Sequence, residues 1–165
     1  MFLDVGSGNR AHPRADVTCD LYFNAEFEGG AIHAREQKNF VICDAQHLPF
    51  KDQIFEESTC SHVLEHLEDP QLGFSELQRV SKKGYIETPS ILYENILFGY
   101  PFHHWFFIKK NGKVHFSKSR KLKLRGKTIL PLGWFLHSLT LHKRLAPMVM
   151  PIRKIPLFYM HHRWP

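Results

Sequence analysis

The chain has 165 residues, of which 43% are hydrophobic, which is enough for one folded core and excludes disorder as the default state. No run of about 18 uninterrupted apolar residues is present and the N-terminus lacks the features of a signal peptide, so we expect a cytoplasmic protein without a membrane-spanning helix. Three widely spaced cysteines, Cys19, Cys43 and Cys60, argue against a disulfide framework, and the formal net charge is +6.

Four short apolar runs in the first half of the chain predict buried strands. They cover residues 2–5, 15–19, 39–43 and 58–64. The first three runs are followed by Gly6-Ser7-Gly8, Asp20 and Asp44, in that order. In an open parallel α/β sheet, ligands bind just beyond the carboxyl ends of the strands, so these polar edges predict one binding crevice.

A helix is predicted after the fourth strand. Asp69 is a favourable N-cap and Pro70 suits the first helical position. The apolar residues that can share one face of this helix are Leu72, Leu77 and Val80, and we expect it to end before residues 82–84. A fifth strand is predicted over residues 85–88 and a short helix over residues 31–38.

Two further elements are predicted in the second half of the chain. Asn111-Gly112, between residues 105–109 and 113–116, predicts an antiparallel hairpin. An apolar stripe that ends before Pro147 predicts an amphipathic helix, and its residues are Leu132, Phe135, Leu136, Leu139 and Leu145. Residues 151–165 contain too many prolines to predict a regular element.

Charge is distributed very unevenly along the chain. Residues 1–94 contain all 16 acidic residues and 8 of the 22 lysines and arginines, whereas residues 95–165 contain the other 14 and no acid. This basic segment, interleaved with aromatic residues, fits an anionic membrane surface, a nucleic acid or an acidic small substrate, with a solvated basic face as the structural alternative. Nucleic acid is the less favoured partner, because the segment contains no recognisable nucleic-acid-binding module.

Five short motifs follow one another in order between residues 2 and 90. They are Asp4-Val5-Gly6-Ser7-Gly8, then Asp20, then Asp44-Ala45 with Leu48-Pro49-Phe50, then Ser61-His62-Val63-Leu64-Glu65-His66-Leu67, and finally Arg79-Val80 with Lys83-Gly84. With these motifs the chain resembles the class I S-adenosylmethionine-dependent methyltransferases, and in particular their type 11 subset.

The resemblance implies an α/β fold with a Rossmann-like, mostly parallel sheet. The predicted antiparallel hairpin would lie at one edge of that sheet. We therefore expect an S-adenosylmethionine-binding domain over residues 1–117 that includes the hairpin. Residues 118–165 would form a basic aromatic extension, packed on this domain or continuous with it.

The resemblance also implies roles for individual residues. S-adenosylmethionine, which leaves as S-adenosylhomocysteine, would contact Asp4, Gly6, Ser7, Gly8, Asp20, Leu21, Asp44, Ala45, Ser61 and His62. Asp20 would accept hydrogen bonds from the ribose hydroxyls, and Asp44 would take the adenine amino group. The candidate catalytic residues are His62 and His66, because a histidine side chain can serve as a general base near neutral pH. The candidate substrate-binding residues are Tyr93, His103, His104 and Trp105.

The implied function is methyl transfer to a small-molecule or lipid-linked acceptor, and three alternatives stand beside it. Residues 6–11 also fit the dinucleotide pattern GxGxxA, although Asp20 follows too soon for the usual ribose-binding acid. A non-catalytic binding module that acts through the basic tail is favoured by Arg10, which replaces the third glycine of the family pattern. An enzyme that cleaves S-adenosylmethionine would show the same motifs.

Each polar residue also has a structural interpretation. Asp4 and Asp20 are suited to cap strand ends, and Asp44 is suited to form an Asx turn. His62 and His66 have a spacing that can bind a metal ion on a helix, but no third ligand is nearby in the sequence, so no metal is predicted.

Overall fold

Strands dominate the regular structure of the described residues. The computed structural model describes residues 1–27, 30–33, 37, 39–90, 103–118, 123–124, 127–128 and 159–165. The strands are β1 (Phe2–Val5), β2 (Val17–Asp20), β3 (Asn24–Phe27), β4 (Gly30–His33), β5 (Phe40–Ile42), β6 (Phe55–Ser61), β7 (Ser81–Pro89), β8 (Trp105–Lys110), β9 (Lys113–Lys118), β10 (Lys123–Leu124), β11 (Lys127–Thr128) and β12 (Tyr159–Trp164). A 3₁₀ turn (Leu64–His66) and the helix α1 (Pro70–Val80) lie between β6 and β7.

Six of the described strands form one sheet in the order β12-β7-β6-β1-β2-β5. The strand β1 pairs in parallel with β2 and β6, and the pairs β2–β5 and β6–β7 are parallel as well. The chain leaves β1 towards β2 and β5 and then returns to the other side of β1 for β6 and β7. Ligands bind at such a switch point in open α/β sheets, so the carboxyl ends of β1 and β6 are the place where a ligand is expected. The predicted mostly parallel α/β fold is confirmed.

The local signals that predicted α1 also define it in the structure. The Asp69 carboxylate accepts hydrogen bonds from two backbone N–H groups of the first turn, and Pro70 begins the helix. Leu72 is exposed, which corrects its predicted place on the apolar face. The buried residues of the helix are Pro70, Gly73, Phe74, Leu77 and Val80. The helix ends at Val80, where β7 begins at once.

The strand β12 was not predicted, because it lies in the proline-rich end of the chain. Its six residues contain no proline. Pro156 precedes the strand and Pro165 follows it. The Trp164 ring meets the Phe74 ring edge-on, with 5.5 Å between the centroids. A Cβ at Gly84 of β7 would overlap the Trp164 indole. The strand β12 therefore packs closely against residues that are distant in the chain, and no local sequence pattern predicts this packing.

The short helix predicted over residues 31–38 is wrong. Gly30–His33 forms β4, which pairs antiparallel with β3, so that Ala25 lies opposite Ile32. A neighbouring strand satisfies backbone groups that a very short helix would leave without partners, so strand pairing overrides a weak helix propensity. The strand predicted over residues 58–64 also begins and ends earlier, because Leu64 belongs to the 3₁₀ turn.

The hairpin predicted around Asn111-Gly112 is present as β8–β9, a two-stranded antiparallel sheet of its own. The φ angles of Asn111 and Gly112 are +51° and +75°, as a tight two-residue hairpin turn requires. No helix in the described part of the chain is long and apolar enough to cross a membrane.

Two compact units divide the chain. One comprises Met1–Glu87 with His161–Pro165, and the other comprises Thr88–Met160. The domain boundary expected between residues 117 and 118 stays a prediction. The amphipathic helix predicted over residues 132–145 and the candidate substrate residue Tyr93 lie outside the described residues.

Candidate functional site

The turn after β1 lies at the carboxyl end of the sheet and is bonded to β2. The N–H groups of Gly6 and Ser7 both donate to the Cys19 carbonyl of β2, at 2.8 and 3.1 Å. Gly6 has a φ of +73°, and a Cβ at this position would overlap the Val63 side chain, so the turn requires glycine. Gly8 has a φ of +51°, and a Cβ there would meet no atom of the described residues within 4 Å. Gly8 therefore leaves space for a ligand beside its Cα, while its N–H and carbonyl are hydrogen-bonded to Asp20 and Gln37.

Asp20 lies at the end of β2, beside this turn. Its Oδ2 accepts a hydrogen bond from the Gly8 N–H at 3.0 Å, and its Oδ1 accepts a longer one from the Tyr22 N–H at 3.4 Å. Since a carboxylate has about four acceptor sites, Asp20 retains capacity for hydroxyl donors of a ligand. Leu21, the next residue, exposes 51% of its surface and offers an apolar contact beside the acid. The ribose-binding role that the resemblance implies for Asp20 stays a prediction.

Asp4 has a different environment from Asp20. It is buried in β1 and accepts a hydrogen bond from the His12 N–H at 2.7 Å. Burial raises the pKa of Asp4 above its ordinary value, and the His12 N–H lowers it only in part. Asp4 therefore anchors the segment of residues 9–16, which contains neither helix nor strand before Asp16. The expected contact of Asp4 with S-adenosylmethionine stays a prediction.

Gln37, which was not among the predicted site residues, contacts the glycine turn. Its Nε2 donates to the Gly8 carbonyl at 2.5 Å, and its Oε1 accepts a hydrogen bond from the Ser7 hydroxyl at 2.7 Å. The side chain therefore bridges both ends of the glycine turn. Gln37 lies 30 residues after Ser7, in a stretch with little periodic pattern, so no local signal pointed to it.

Asp44 follows β5 and lies near Asp20, because the Cys43 N–H donates to the Asp20 carbonyl at 3.0 Å. The Asp44 carboxylate accepts the Gln46 N–H at 2.8 Å, which forms an Asx turn. The Gln46 side-chain amide lies 3.2 and 3.3 Å from the two carboxylate oxygens. Ala45 is buried behind the turn. Asp44 thus occupies the expected edge of the sheet, and its structural interpretation as an Asx turn also applies.

Two of the sequence motifs are joined by one arginine. The Arg79 guanidinium donates to the Leu48 and Phe50 carbonyls, at 2.9 and 2.8 Å. It also pairs with Glu76 and Asp52, at 2.7 Å each. Arg79 therefore links the loop after Asp44 to α1, so residues of the two motifs are in direct contact.

His62 lies between two carboxylates at the carboxyl end of β6. Its Nδ1 is 3.4 Å from Glu65 Oε1 and its Nε2 is 3.1 Å from Glu87 Oε1. Burial lowers the pKa of His62, but hydrogen bonds and charges of Glu65 and Glu87 outweigh that effect and raise it to about 9. The ring is therefore a cation near neutral pH. Ser61 ends β6 opposite Glu87 in the register.

Glu87 connects His62 to the C-terminal strand. Its Oε2 accepts a hydrogen bond from the Tyr85 hydroxyl at 2.7 Å and lies 3.2 Å from His161 Nδ1. The hydrogen bond from His62 lowers the pKa of Glu87 to about 2, although burial opposes the shift. Glu87 was not among the predicted site residues, because no motif marks it and His62 is 25 residues away in the chain.

The remaining predicted catalytic and substrate-binding residues in the described part of the chain are His66, His103, His104 and Trp105. His66 ends the 3₁₀ turn and is exposed, and its N–H donates to the Val63 carbonyl at 2.9 Å. His103, His104 and Trp105 belong to the second compact unit, where His103 is buried and His104 is exposed. Their role in substrate binding stays a prediction.

Replacing His62 with glutamine is expected to lower the free energy of unfolding by about 1 kcal/mol near neutral pH. The effect is modest because the ring is half exposed and solvent screens its ion pairs. The pKa of His62 in the folded protein, about 9, is above the ordinary 6.5. The ion pairs therefore stabilise the fold fully below pH 6.5, and this contribution disappears as the pH rises through about 9. Urea unfolding of both proteins near neutral pH and at about pH 10 measures the effect.

The control is Lys82→Gln, which removes the partner of the exposed Glu56 and should leave stability nearly unchanged. A His62→Gln effect of the same size at both pH values would contradict a charged His62 in the folded protein.

Residues 3–86 match the family model described as "Methyltransferase domain". The demethylmenaquinone methyltransferase of Thermobifida fusca is 40% identical over 73 residues, which are 41% of this chain and 30% of the relative. The ubiquinone/menaquinone biosynthesis C-methyltransferase UbiE of Desulfotalea psychrophila is 35% identical over 77 residues, 46% of this chain and 31% of the relative. The match spans about a third of the length of these relatives. The PH0226 protein from Pyrococcus horikoshii superposes with a TM-score of 0.46 and 19% identity, over 70% of this chain and 64% of its own.

Proposed function

This chain belongs to the methyltransferase domain family, and from that premise we propose that it transfers a methyl group from S-adenosylmethionine to a small lipophilic acceptor of the quinone class. The family expected from the sequence motifs is thereby confirmed, together with S-adenosylmethionine as its cofactor. The acceptor class is supported by the relatives that are named for demethylmenaquinone and ubiquinone methylation. The family-model match covers residues 3–86, whereas the candidate acceptor residues lie beyond it.

The observation that carries the proposal is the Asp20 carboxylate beside the open turn at Gly8. An acid at the end of β2 can accept both hydroxyl groups of a ribose, and the missing side chain at Gly8 lets the cofactor approach the backbone. The turn at Gly8 follows β1 at the switch point of the parallel sheet, where such ligands bind, and Asp20 ends the neighbouring strand β2. S-adenosylmethionine supplies an electrophilic methyl group on a sulfonium ion.

We assign the residues around His62 to electrostatics and positioning. A general base needs a ring nitrogen that can take a proton, and both nitrogens of His62 face carboxylates that keep the ring protonated near neutral pH. His62 therefore holds the loop after β6 against Glu87. The acidic side chains of this edge favour a cationic cofactor, and His66, which is exposed, stays the candidate base for an acceptor that loses a proton.

Calorimetric titration with S-adenosylmethionine, S-adenosylhomocysteine and NAD tests the cofactor. We expect S-adenosylmethionine and S-adenosylhomocysteine to bind and NAD not to bind. The glycine turn and Asp20 can hold one nucleoside, and we assign no residues to a second nucleotide. Transfer of a labelled methyl group to a short-chain demethylated quinol then tests the acceptor. Cofactor binding without methyl transfer would contradict the proposed acceptor, and absence of any cofactor binding would contradict the site itself.

A further inference from the structure

The hairpin β8–β9 presents a cluster of lysines around its turn. Lys109, Lys110 and Lys113 flank Asn111-Gly112, and all five residues are exposed. Residues 95–165 contain no aspartate or glutamate, so this part of the chain offers no carboxylate that could neutralise the lysines. We call residues 109–113 the hairpin tip. The tip is therefore a concentrated positive charge on a short, well-defined turn.

An apolar side chain accompanies this charge. Ile108 is 42% exposed and lies opposite His115 in the antiparallel register, two pairs before Lys110 and Lys113. Because alternate residues of a strand share a face, Ile108 lies on the same face of the hairpin as Lys110 and Lys113. This face combines cationic side chains at the turn with an exposed branched aliphatic side chain directly behind them.

The aromatic side chains of the hairpin are engaged within it. The Phe107 and Phe116 rings meet edge-on, with 5.0 Å between their centroids, and Phe107 is buried. The Lys118 ammonium lies over the Trp105 ring, 5.6 Å from its centroid. Single-stranded nucleic acids are bound through aromatic rings on which bases stack, and these rings already have protein partners. The hairpin therefore fits an anionic surface with an apolar interior better than it fits a nucleic acid.

We propose that the hairpin β8–β9 docks on an anionic lipid bilayer, with the lysines of the hairpin tip at the phosphate groups and Ile108 in the interfacial region. Lysines near an anionic membrane surface each strengthen binding about fivefold, and an aliphatic side chain adds to this when it leaves water. The docking requires neither S-adenosylmethionine nor methyl transfer, so it stands apart from the proposed function. Docking would hold the protein at the lipid bilayer, in which lipophilic acceptors dissolve.

Vesicle sedimentation of the full chain tests this proposal. The wild type is expected to bind vesicles of phosphatidylcholine with phosphatidylglycerol, to bind pure phosphatidylcholine far more weakly, and to dissociate as salt is added. The triple variant Lys109→Gln, Lys110→Gln, Lys113→Gln should bind the anionic vesicles about a hundredfold more weakly. Ile108→Thr, which keeps a branched strand-forming side chain, should lose about fivefold.

The control is the triple variant Lys51→Gln, Lys82→Gln, Lys83→Gln, which removes the same charge from exposed positions elsewhere. It should bind vesicles nearly as the wild type does, and both triple variants should bind S-adenosylmethionine unchanged if the cofactor site is correct. Equal losses in the two triple variants would overturn the proposal, as would equal binding of neutral and anionic vesicles. Binding of an oligonucleotide in preference to anionic vesicles would overturn it in favour of a nucleic-acid partner.

Discussion

Replacing Gly6 with alanine is expected to lower the free energy of unfolding by about 3 kcal/mol and to abolish binding of S-adenosylmethionine. The added Cβ would overlap Val63 Cγ2, and the backbone at Gly6 has a φ of +73°, where side chains are strained. The turn also carries the Ser7 N–H that bonds to Cys19, so any shift moves the cofactor edge of the sheet. Urea unfolding measures the stability, and calorimetry measures the binding.

Gly8→Ala is the matched control. Gly8 also has a positive φ, +51°, but no atom of the described residues lies within 4 Å of the added Cβ, so only backbone strain of about 1 kcal/mol is expected. Adding Val63→Ala to Gly6→Ala should restore part of the loss, because it removes the overlap but not the strain. Equal stability of the Gly6 and Gly8 variants would contradict the close approach of Val63.

Replacing Asp20 with alanine is expected to weaken the binding of S-adenosylmethionine about a hundredfold. Hydrogen bonds to a charged acceptor contribute about 1.5–3 kcal/mol each, and two ribose hydroxyls would lose one acceptor together. Asp20→Asn keeps one acceptor oxygen and should bind between the wild type and the alanine variant. Calorimetric titration measures all three proteins, and thermal unfolding shows whether the loss of the Gly8 hydrogen bond has changed the fold.

Glu68→Gln serves as the control for charge. Glu68 is exposed between the 3₁₀ turn and α1, so this substitution removes the same negative charge away from the glycine turn. It should leave the dissociation constant unchanged within about twofold. If Asp20→Ala binds S-adenosylmethionine as tightly as Glu68→Gln does, Asp20 is not the ribose acceptor.

Local patterns were sufficient for much of the fold. The apolar runs that become β1 and β2, the Asp69 cap with Pro70, and the Asn111-Gly112 turn all depend on residues within a few positions of one another. Such signals act through backbone preferences and short-range hydrogen bonds, which are the same in any context. The polar strand ends also predicted that residues 6–8, Asp20 and Asp44 share one edge of the sheet, and the structure places them there.

Elements and contacts that depend on residues far apart in the chain could not be predicted in the same way. The pairing of β4 with β3 replaced a predicted helix, and β12 formed among residues that appeared unsuited to any element. The bridge from Gln37 to the glycine turn joins segments that are about 30 residues apart. In each case the free energy comes from a partner elsewhere in the chain, so neither partner alone carries a pattern.

The sequence by itself determined the family, the parallel α/β architecture and the acids at the ends of β2 and β5, because these follow from motifs and hydrophobic runs that are local. The tertiary structure alone decided the state of His62. Only the folded chain places Glu65 and Glu87 against its two ring nitrogens, and the two carboxylates outweigh the effect of burial and keep the ring charged. A residue that the motif suggested as a base is thereby held as a cation, since its protonation depends on distance in space and not on position in the chain.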